Sequence, residues 1–174
     1  MTNAALALLR RLDNAVAWTC RWTVIACFLG LFLLLSLGVV QRLLPLIKLT
    51  GYDELIELLF IWMTFVGSVA LWREGTLYRV EAIDRLLKPR AARQALAVLT
   101  SLAMLALAAI LTLKGTTFLL DSGETTPFLR IDKAYWYAAI PFCGALMSIY
   151  SLAALWRALR GDLVSPGDEI VTLG

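Results

Sequence analysis

The sequence predicts an all-α membrane protein with four transmembrane helices, cytoplasmic N- and C-termini, and short interfacial amphipathic helices. Three observations support this fold class: the apolar composition, four long apolar runs, and Lys and Arg residues that fall between those runs. Of the 174 residues, 60% are hydrophobic and 17% are charged, and the mean hydropathy is +0.78. A soluble domain has about 45–50% apolar and about 25% charged residues. We therefore expect residues 1–174 to form a single four-helix transmembrane domain.

The composition also argues against several classes of function. The chain has no histidine, which is the commonest metal ligand and general base in proteins. Cys20, Cys27 and Cys143 form no C-x-x-C pair and are interpreted as small packing residues. No basic face with interleaved aromatic residues lies outside the apolar runs, so no nucleic-acid partner is expected. We predict no catalytic residues, no metal site and no cofactor, and we predict that the protein is not an enzyme.

The chain begins with an amphipathic segment, which is followed by the first apolar run. In residues 4–17, apolar side chains recur at helical spacing with charged residues between them, which predicts a short helix on the membrane surface. No charged residue lies between Arg21 and Arg42, a stretch of 20 residues. This length matches a bilayer core of about 30 Å and predicts a first span at about 22–44.

The second apolar run is short and carries an acid. Residues 55–72 form 18 positions whose only ionisable side chain is Glu57, and they predict a second span at about 54–73. A charge costs about 2–3 kcal/mol at the bilayer centre and less near its edge, so Glu57 is expected to have a partner or contact with water. Two roles are open. Glu57 relays protons or binds a cation, or it pairs structurally with Arg42, Lys48 or an arginine of another subunit.

Two further spans complete the prediction. Residues 78–88 combine cations with apolar residues at helical spacing and predict a second interfacial helix, which Pro89 ends. Uncharged runs then predict a third span at about 94–114 and a fourth at about 134–158. Pro141 lies inside the fourth span and is expected to kink it.

The distribution of cations sets the predicted orientation. Eleven lie at the two termini or in the connection after the second span: Arg10, Arg11, Arg21, Arg73, Arg79, Arg85, Lys88, Arg90, Arg93, Arg157 and Arg160. Five lie in the other two connections: Arg42, Lys48, Lys114, Arg130 and Lys133. Because cytoplasmic loops carry the excess of Lys and Arg, both termini are placed in the cytoplasm. Tryptophans are expected at the inner boundary (Trp18, Trp22, Trp72, Trp156) and at the outer one (Trp136).

The second span is also the predicted contact with a partner subunit. Small and polar residues along one helix face permit close packing of another helix, and a Trp at mid-depth needs an acceptor for its N–H group. The candidate interface residues are Glu54, Glu57, Ile61, Trp62, Gly67, Ser68 and Arg73. We expect Glu57→Gln and Gly67→Leu to weaken the association, and Thr112→Leu on the third span to leave it intact.

The region around the second span resembles the small permease subunit (Q, DctQ type) of tripartite ATP-independent periplasmic (TRAP) transporters. In that family, acids precede the second span, a Trp and a Gly-containing step lie inside it, and an Arg-x-Gly-x-His segment follows it. The matching positions here are Glu54, Glu57, Trp62, Phe65-Val66-Gly67 and the stretch 73–81.

A second match lies ahead of and within the fourth span, where the sequence TPFLRIDKAYWYAAIPFCG is similar to a family pattern through Pro127, Ile140, Pro141 and Gly144. Two positions depart from the family. Its histidine is Leu77 here and its aspartate is Glu81, so no role of that histidine is carried over. The four spans, the cytoplasmic termini and the chain length fit as well, so the resemblance covers nearly the whole chain.

The resemblance implies a non-catalytic subunit of the bacterial inner membrane, embedded in the lipid bilayer. Its expected partners are a large membrane subunit (M, DctM type) and a periplasmic solute-binding protein. The large subunit would hold the substrate and sodium sites, and the binding protein would deliver an organic acid. The small subunit would brace the large one during transport.

Alternative functions were compared with this one. The small four-span subunit of a tripartite tricarboxylate-type transporter has an analogous role and stays open, as does another membrane scaffold protein. A four-span quinone-linked thiol oxidoreductase would need cysteine pairs in the outer connections, and residues 42–54 and 114–133 contain none. A small multidrug exporter would carry an acid inside the first span, which has none.

Overall fold

The computed structural model describes residues 3–43, 51–74 and 90–160, and helices account for most of them. In chain order these are α1 (Asn3–Leu43), α2 (Tyr52–Glu74), α3 (Arg90–Asp121), α4 (Ala134–Tyr137) and α5 (Ala139–Arg160). Four segments are long and apolar enough to cross a membrane: Arg11–Leu43, Tyr52–Glu74, Ala91–Asp121 and Ala134–Arg160. The predicted all-α class with four membrane-spanning helices is therefore confirmed.

Helix α1 differs from the prediction at its beginning. The segment 4–17 is helical, but it is the first part of one continuous 41-residue helix rather than a separate surface helix. No proline or glycine occurs before Gly30, so nothing interrupts the backbone hydrogen bonds between the amphipathic part and the apolar part. The second predicted interfacial helix, 78–88, lies outside the described residues.

Helix α3 continues beyond its predicted end at Lys114 and stops at Asp121. The extension packs against α5, because a Cβ atom on Gly115 would lie 2.8 Å from Ile140 Cγ2 and 3.1 Å from the ring of Pro141. Thr116 and Thr117 donate hydroxyl hydrogen bonds to carbonyls one turn earlier in the same helix. The helix therefore continues for seven residues beyond the cation at Lys114.

The fourth span is interrupted where Pro141 predicts a kink. A proline has no N–H group, and its ring clashes with the carbonyl four residues earlier. Four residues before Pro141 is Tyr137, where α4 ends, and Ala138 separates α4 from α5. The Ala138 N–H bonds to the Ala134 carbonyl at 2.8 Å, and the Phe142 N–H bonds to the Ala138 carbonyl at 3.2 Å. These two hydrogen bonds continue the backbone across Ala138, so α4 and α5 together form one span.

The four spans pack in the order α1, α2, α5, α3, which differs from their order in the chain. The two strongest contacts are the α3–α5 pair and the α1–α2 pair, and α2 joins them by packing on α5. The central core consists of buried residues from all four: Cys20, Val66, Val69, Trp72, Ala108, Cys143 and Met147. The small residues among them, such as Ala108 and Cys143, let the helix backbones approach closely.

Two ends of the molecule are named from here on. The terminal end holds the first turns of α1, the end of α2 at Glu74 and the end of α5 at Arg160. The loop end holds the start of α2 and the connection 122–133 between α3 and α4. The α1–α2 pair is antiparallel, since Gly38 lies against Tyr52 near the loop end and Asp13 bonds to Arg73 near the terminal end.

Candidate functional site

Glu54, the first candidate, faces the interior and holds the loop between α3 and α4. It lies in the first turn of α2, and its carboxylate accepts hydrogen bonds from the backbone N–H groups of Phe128 at 2.8 Å and Leu129 at 2.9 Å. The side chain is buried. Charge-assisted hydrogen bonds of this kind are shorter and stronger than neutral ones, and the positive end of a helix dipole favours an acid in the first turn. Glu54 is therefore a clamp within the chain.

The loop that Glu54 holds has its own hydrogen-bond network. Thr125 and Asp132 form an antiparallel bridge, and Thr126 exchanges hydrogen bonds with Ile131 through both its backbone N–H and its hydroxyl oxygen, at 2.8 and 3.0 Å. Lys133 donates to Glu124 at 2.8 Å. The Lys133 ammonium lowers the pKa of the exposed Glu124 carboxyl below its ordinary value. These contacts give the loop a defined conformation next to the first turn of α2.

Trp62 also finds its hydrogen-bond partner within the chain. Its indole N–H donates to the carbonyl of Tyr135 at 3.0 Å, and its ring packs against Phe142 with 6.3 Å between ring centroids. Tyr135 lies in α4, just before the break that Pro141 causes. The acceptor expected for a mid-span Trp is therefore supplied by the fourth span.

A polar cluster joins three helices at the terminal end. Arg73 in α2 donates from two guanidinium nitrogens to the two carboxylate oxygens of Asp13 in α1, with Nε at 2.7 Å. The Tyr150 hydroxyl in α5 donates to Asp13 at 3.0 Å. Next to them, the Trp72 indole N–H donates to the Ser151 hydroxyl at 2.8 Å. A bidentate Arg–carboxylate pair fixes geometry as well as charge, so this cluster sets the relative positions of α1, α2 and α5.

The tryptophans fall into an exposed group and a buried group. Trp18, Trp22 and Trp156 are exposed, as expected for side chains at a membrane boundary. Trp72 and Trp136 are buried in the protein, and their depths at the inner and outer boundaries stay predictions. Trp72 packs in the core between the helices, where the Ser151 hydroxyl accepts its N–H hydrogen bond.

Glu57 is the candidate that faces outward. It is exposed, one turn after Glu54, and the structure shows no ion pair between it and Arg42. Lys48, the other cation considered in this chain, lies outside the described residues. On the same side of α2 lie Asp53, Phe60 and Thr64, all exposed, and Ser68, which is half-buried. We call this set of five residues the α2 ridge.

The remaining candidates lie at the edges of this ridge. Ile61 is half-buried, and Gly67 faces α1, where a Cβ atom would lie 3.8 Å from Val24. Gly67→Leu would therefore crowd α1 whether or not a partner is present. Thr112 lies inside the α3–α5 contact, because a Cβ atom on Gly144 would be 2.9 Å from its backbone nitrogen. Thr112→Leu is thus not a neutral control, and both variants need replacement in a test of the interface.

Sequence reasoning missed several residues of the two polar networks. Asp13 lies in the predicted surface segment 4–17, and Tyr150 and Ser151 lie in the predicted fourth span, but no partner was predicted for any of the three. Their partners lie 60 to 137 positions away in the chain. The sequence did contain one indication of these contacts, namely polar residues within largely apolar helices. This pattern does not show which residues they bond to.

A comparison of the sequence with models of protein families shows which family the chain belongs to. Residues 31–161 match the family model described as the DctQ component of tripartite ATP-independent periplasmic transporters. The chain belongs to the DctQ family. The matched region of this TRAP subunit contains Glu54 and its loop, the α2 ridge, Arg73 and the break before Pro141. Asp13 precedes the matched region. A search of curated proteins gave no significant match.

The family assignment confirms the resemblance noted from the sequence. A DctQ protein is the small membrane subunit of a TRAP transporter, and the four apolar helices agree with a multi-pass membrane protein. The chain is therefore a component of a transporter with several subunits.

Proposed function

We propose that this DctQ-type subunit is a non-catalytic scaffold for a TRAP-type secondary transporter. In this proposal it braces the large membrane subunit during sodium-driven uptake of an organic acid. The periplasmic solute-binding protein delivers the solute, and the large subunit binds solute and sodium.

One observation carries the scaffold role: the polar contacts of the described spans join helices near the two ends and lie within single helices between those ends. Charged contacts lie near the two ends, at the Glu54 clamp and at the Asp13 cluster. Between them, hydroxyls such as those of Thr64, Ser68 and Thr112 donate to carbonyls one turn earlier in their own helices. Solute and ion pathways need polar groups that face a cavity near the bilayer midplane, and these hydroxyls are already satisfied.

The proposal includes an orientation in the bacterial inner membrane. The cation bias of eleven to five supports a cytoplasmic terminal end and a periplasmic loop end. The Glu54 clamp and its loop then face the side from which the binding protein delivers the solute. The Asp13 cluster lies at the cytoplasmic boundary.

Solute uptake into proteoliposomes tests this function. We expect uptake of an organic acid only when this chain, the large subunit and the binding protein are combined under an inward sodium gradient. The chain alone should give the same signal as empty liposomes. Sodium-driven uptake by the chain alone, or full uptake by the large subunit and binding protein without it, would contradict the scaffold proposal.

A further inference from the structure

The α2 ridge is a helix face that the rest of the described chain leaves uncovered. Helix α2 contacts α1 through Leu59, which lies against Gly30, and contacts α5 through Trp62 and Trp72. Phe60 and Thr64 are each two positions away from Trp62, which is about 200° of rotation, so their side chains project to the opposite side of the helix from Trp62. The ridge therefore forms a third side of α2, away from α5.

Its chemistry differs from that of the other exposed helix faces. The exposed faces of α3 and α5 at mid-span are made of large apolar side chains, as suits contact with lipid tails: Leu99, Leu102, Leu107, Ile110, Phe142, Ile149 and Leu152. The ridge combines two carboxylates at the loop end with an aromatic residue and two hydroxyl residues. Ser68 and the neighbouring Gly67 reduce its bulk, which permits close approach of another backbone.

The charge of the ridge selects the kind of partner. Glu57 lies more than one turn inside α2, and no cation of the described residues forms a salt bridge with it. Lys133 attracts Glu57 only from a longer distance, because its ammonium group is already paired with Glu124. A carboxylate at this depth is costly without a partner. Phospholipid headgroups carry negatively charged phosphates, which repel Glu57 and Asp53. The hydroxyls of Thr64 and Ser68 bond within α2, so they add little polarity to a helix contact.

We propose that the large membrane subunit of the transporter packs a helix along the α2 ridge and places a Lys or Arg side chain against Glu57. This inference rests on the proposed function, since it names the surface through which the scaffold holds its partner. It narrows the interface predicted from the sequence: Glu54, Trp62 and Arg73 act within the chain, and Glu57 and its ridge neighbours make the contact between subunits.

Photo-crosslinking in the assembled transporter gives a matched test. Phe60 on the ridge and Phe142 on α5 are the same residue type, each with 57% of its surface exposed. Phe142 packs near Trp62 and so lies on the other side of α2 from the ridge. p-Benzoylphenylalanine at position 60 should crosslink to the large subunit in native membranes, and the same group at position 142 should not. A crosslink from position 142 alone, or from position 60 to a second copy of this chain, would overturn the proposal.

Substitutions test the charge and the close packing separately. Glu57→Gln should reduce the amount of large subunit that co-purifies by about tenfold or more, because a buried cation then loses its partner. Asp121→Asn also removes one exposed carboxylate charge at the loop end and should have no such effect. Thr64→Trp should separate the subunits by adding bulk to the ridge, whereas Ala106→Trp on the exposed face of α3 should be tolerated.

Failure of the proposed interface and failure of the proposed function would give different results in these experiments. If Glu57→Gln and Thr64→Trp both leave a stable complex with normal uptake, the ridge is not the interface, although the scaffold role stands. If the wild-type chain does not co-purify with the large subunit at all, the proposed function itself fails. Circular dichroism and gel filtration of each variant alone establish that the subunit is still folded.

Discussion

At the scale of single residues, the position of a carboxylate around the helix decides its role. Glu54 and Glu57 are one turn apart in α2, yet Glu54 is buried and Glu57 is exposed. Glu54 accepts hydrogen bonds from two backbone N–H groups of the loop, at Phe128 and Leu129, for which the described part of the chain shows no other acceptor. Glu57 meets no comparable donor in the described residues. The same residue type therefore serves the fold at one position and is free for a partner at the next.

Removal of the Glu54 carboxylate should loosen the loop. In Glu54→Ala the N–H groups of Phe128 and Leu129 lose their acceptor, so we expect faster hydrogen exchange at both amides. Trypsin should also cleave faster after the exposed Arg130 in the same turn. Both are measured on the purified subunit by mass spectrometry. The matched control is Glu57→Ala, which should leave exchange and cleavage in the loop unchanged. Equal rates in Glu54→Ala and wild type would show that the clamp does not order the loop.

The sequence predicts that Glu54, Trp62 and Arg73 contact another subunit, and this stays a prediction. Within the chain their partners are Phe128, Leu129, Tyr135 and Asp13, which lie far away in the sequence. Helical spacing tells which residues share a face, but it does not tell which other helix that face meets. A polar side chain in an apolar helix therefore indicates that a specific contact exists, but it does not identify the residue at the other end of that contact.

At the scale of helices, glycine positions control the close contact between α3 and α5. A Cβ atom on Gly144 would lie 2.9 Å from both the backbone nitrogen and the hydroxyl of Thr112, and one on Gly115 would crowd Ile140 and Pro141. The two glycines lie on opposite helices, so each lets its own backbone approach the other helix. Close packing of this kind is a main source of association between helices in a bilayer.

Addition of a side chain at Gly144 should separate this pair. Gly144→Val places atoms where the Thr112 backbone lies, and overpacking of this kind costs about 1–3 kcal/mol. We expect a lower midpoint of thermal unfolding in detergent. The control is Gly123→Ala in the loop, where a Cβ atom meets nothing within 4 Å, and its unfolding midpoint should match that of wild type. A Gly144→Val variant as stable as Gly123→Ala would mean that α3 and α5 do not pack as closely as described.

The positions of the helices were largely predictable because a bilayer allows few backbone conformations. Within hydrocarbon, backbone groups must bond to one another, so a long apolar run becomes a helix. The break before Pro141 followed from the missing N–H group of proline in the same way. Helix α3 runs beyond the predicted span end at Lys114, and Gly115 in this extension packs on α5. Composition predicts the apolar part of a helix, but it does not give the residue at which the helix ends.

At the scale of the whole molecule, the packing order determines which helix remains available to a partner. The order α1, α2, α5, α3 places α2 and α5 between the two outer helices. Polar contacts fix α2 to both neighbours, at Asp13 of α1 and Ser151 of α5, while the α2 ridge stays exposed. A helix held on two sides is a rigid support for a moving neighbour, which agrees with the proposed scaffold role. The chain order of four similar apolar runs does not specify this arrangement.

The orientation of this assembly gives the last prediction, which concerns labelling from the outside of the cell. Gly123 is exposed in the loop, and Glu74 is exposed at the opposite, terminal end. The native thiols Cys20, Cys27 and Cys143 are all buried, so an introduced cysteine should dominate the reaction. A maleimide that does not cross the inner membrane should label Gly123→Cys in spheroplasts. It should label Glu74→Cys only after the membrane is permeabilised.

The reason for this expectation is the cation bias toward the terminal end, since Lys and Arg are retained on the cytoplasmic side during insertion. The two variants control each other, because both are exposed and differ only in the end of the molecule that carries them. The reverse pattern, with Glu74→Cys labelled in intact spheroplasts and Gly123→Cys protected, would invert the topology. The Glu54 clamp would then face the cytoplasm, on the opposite side from the binding protein.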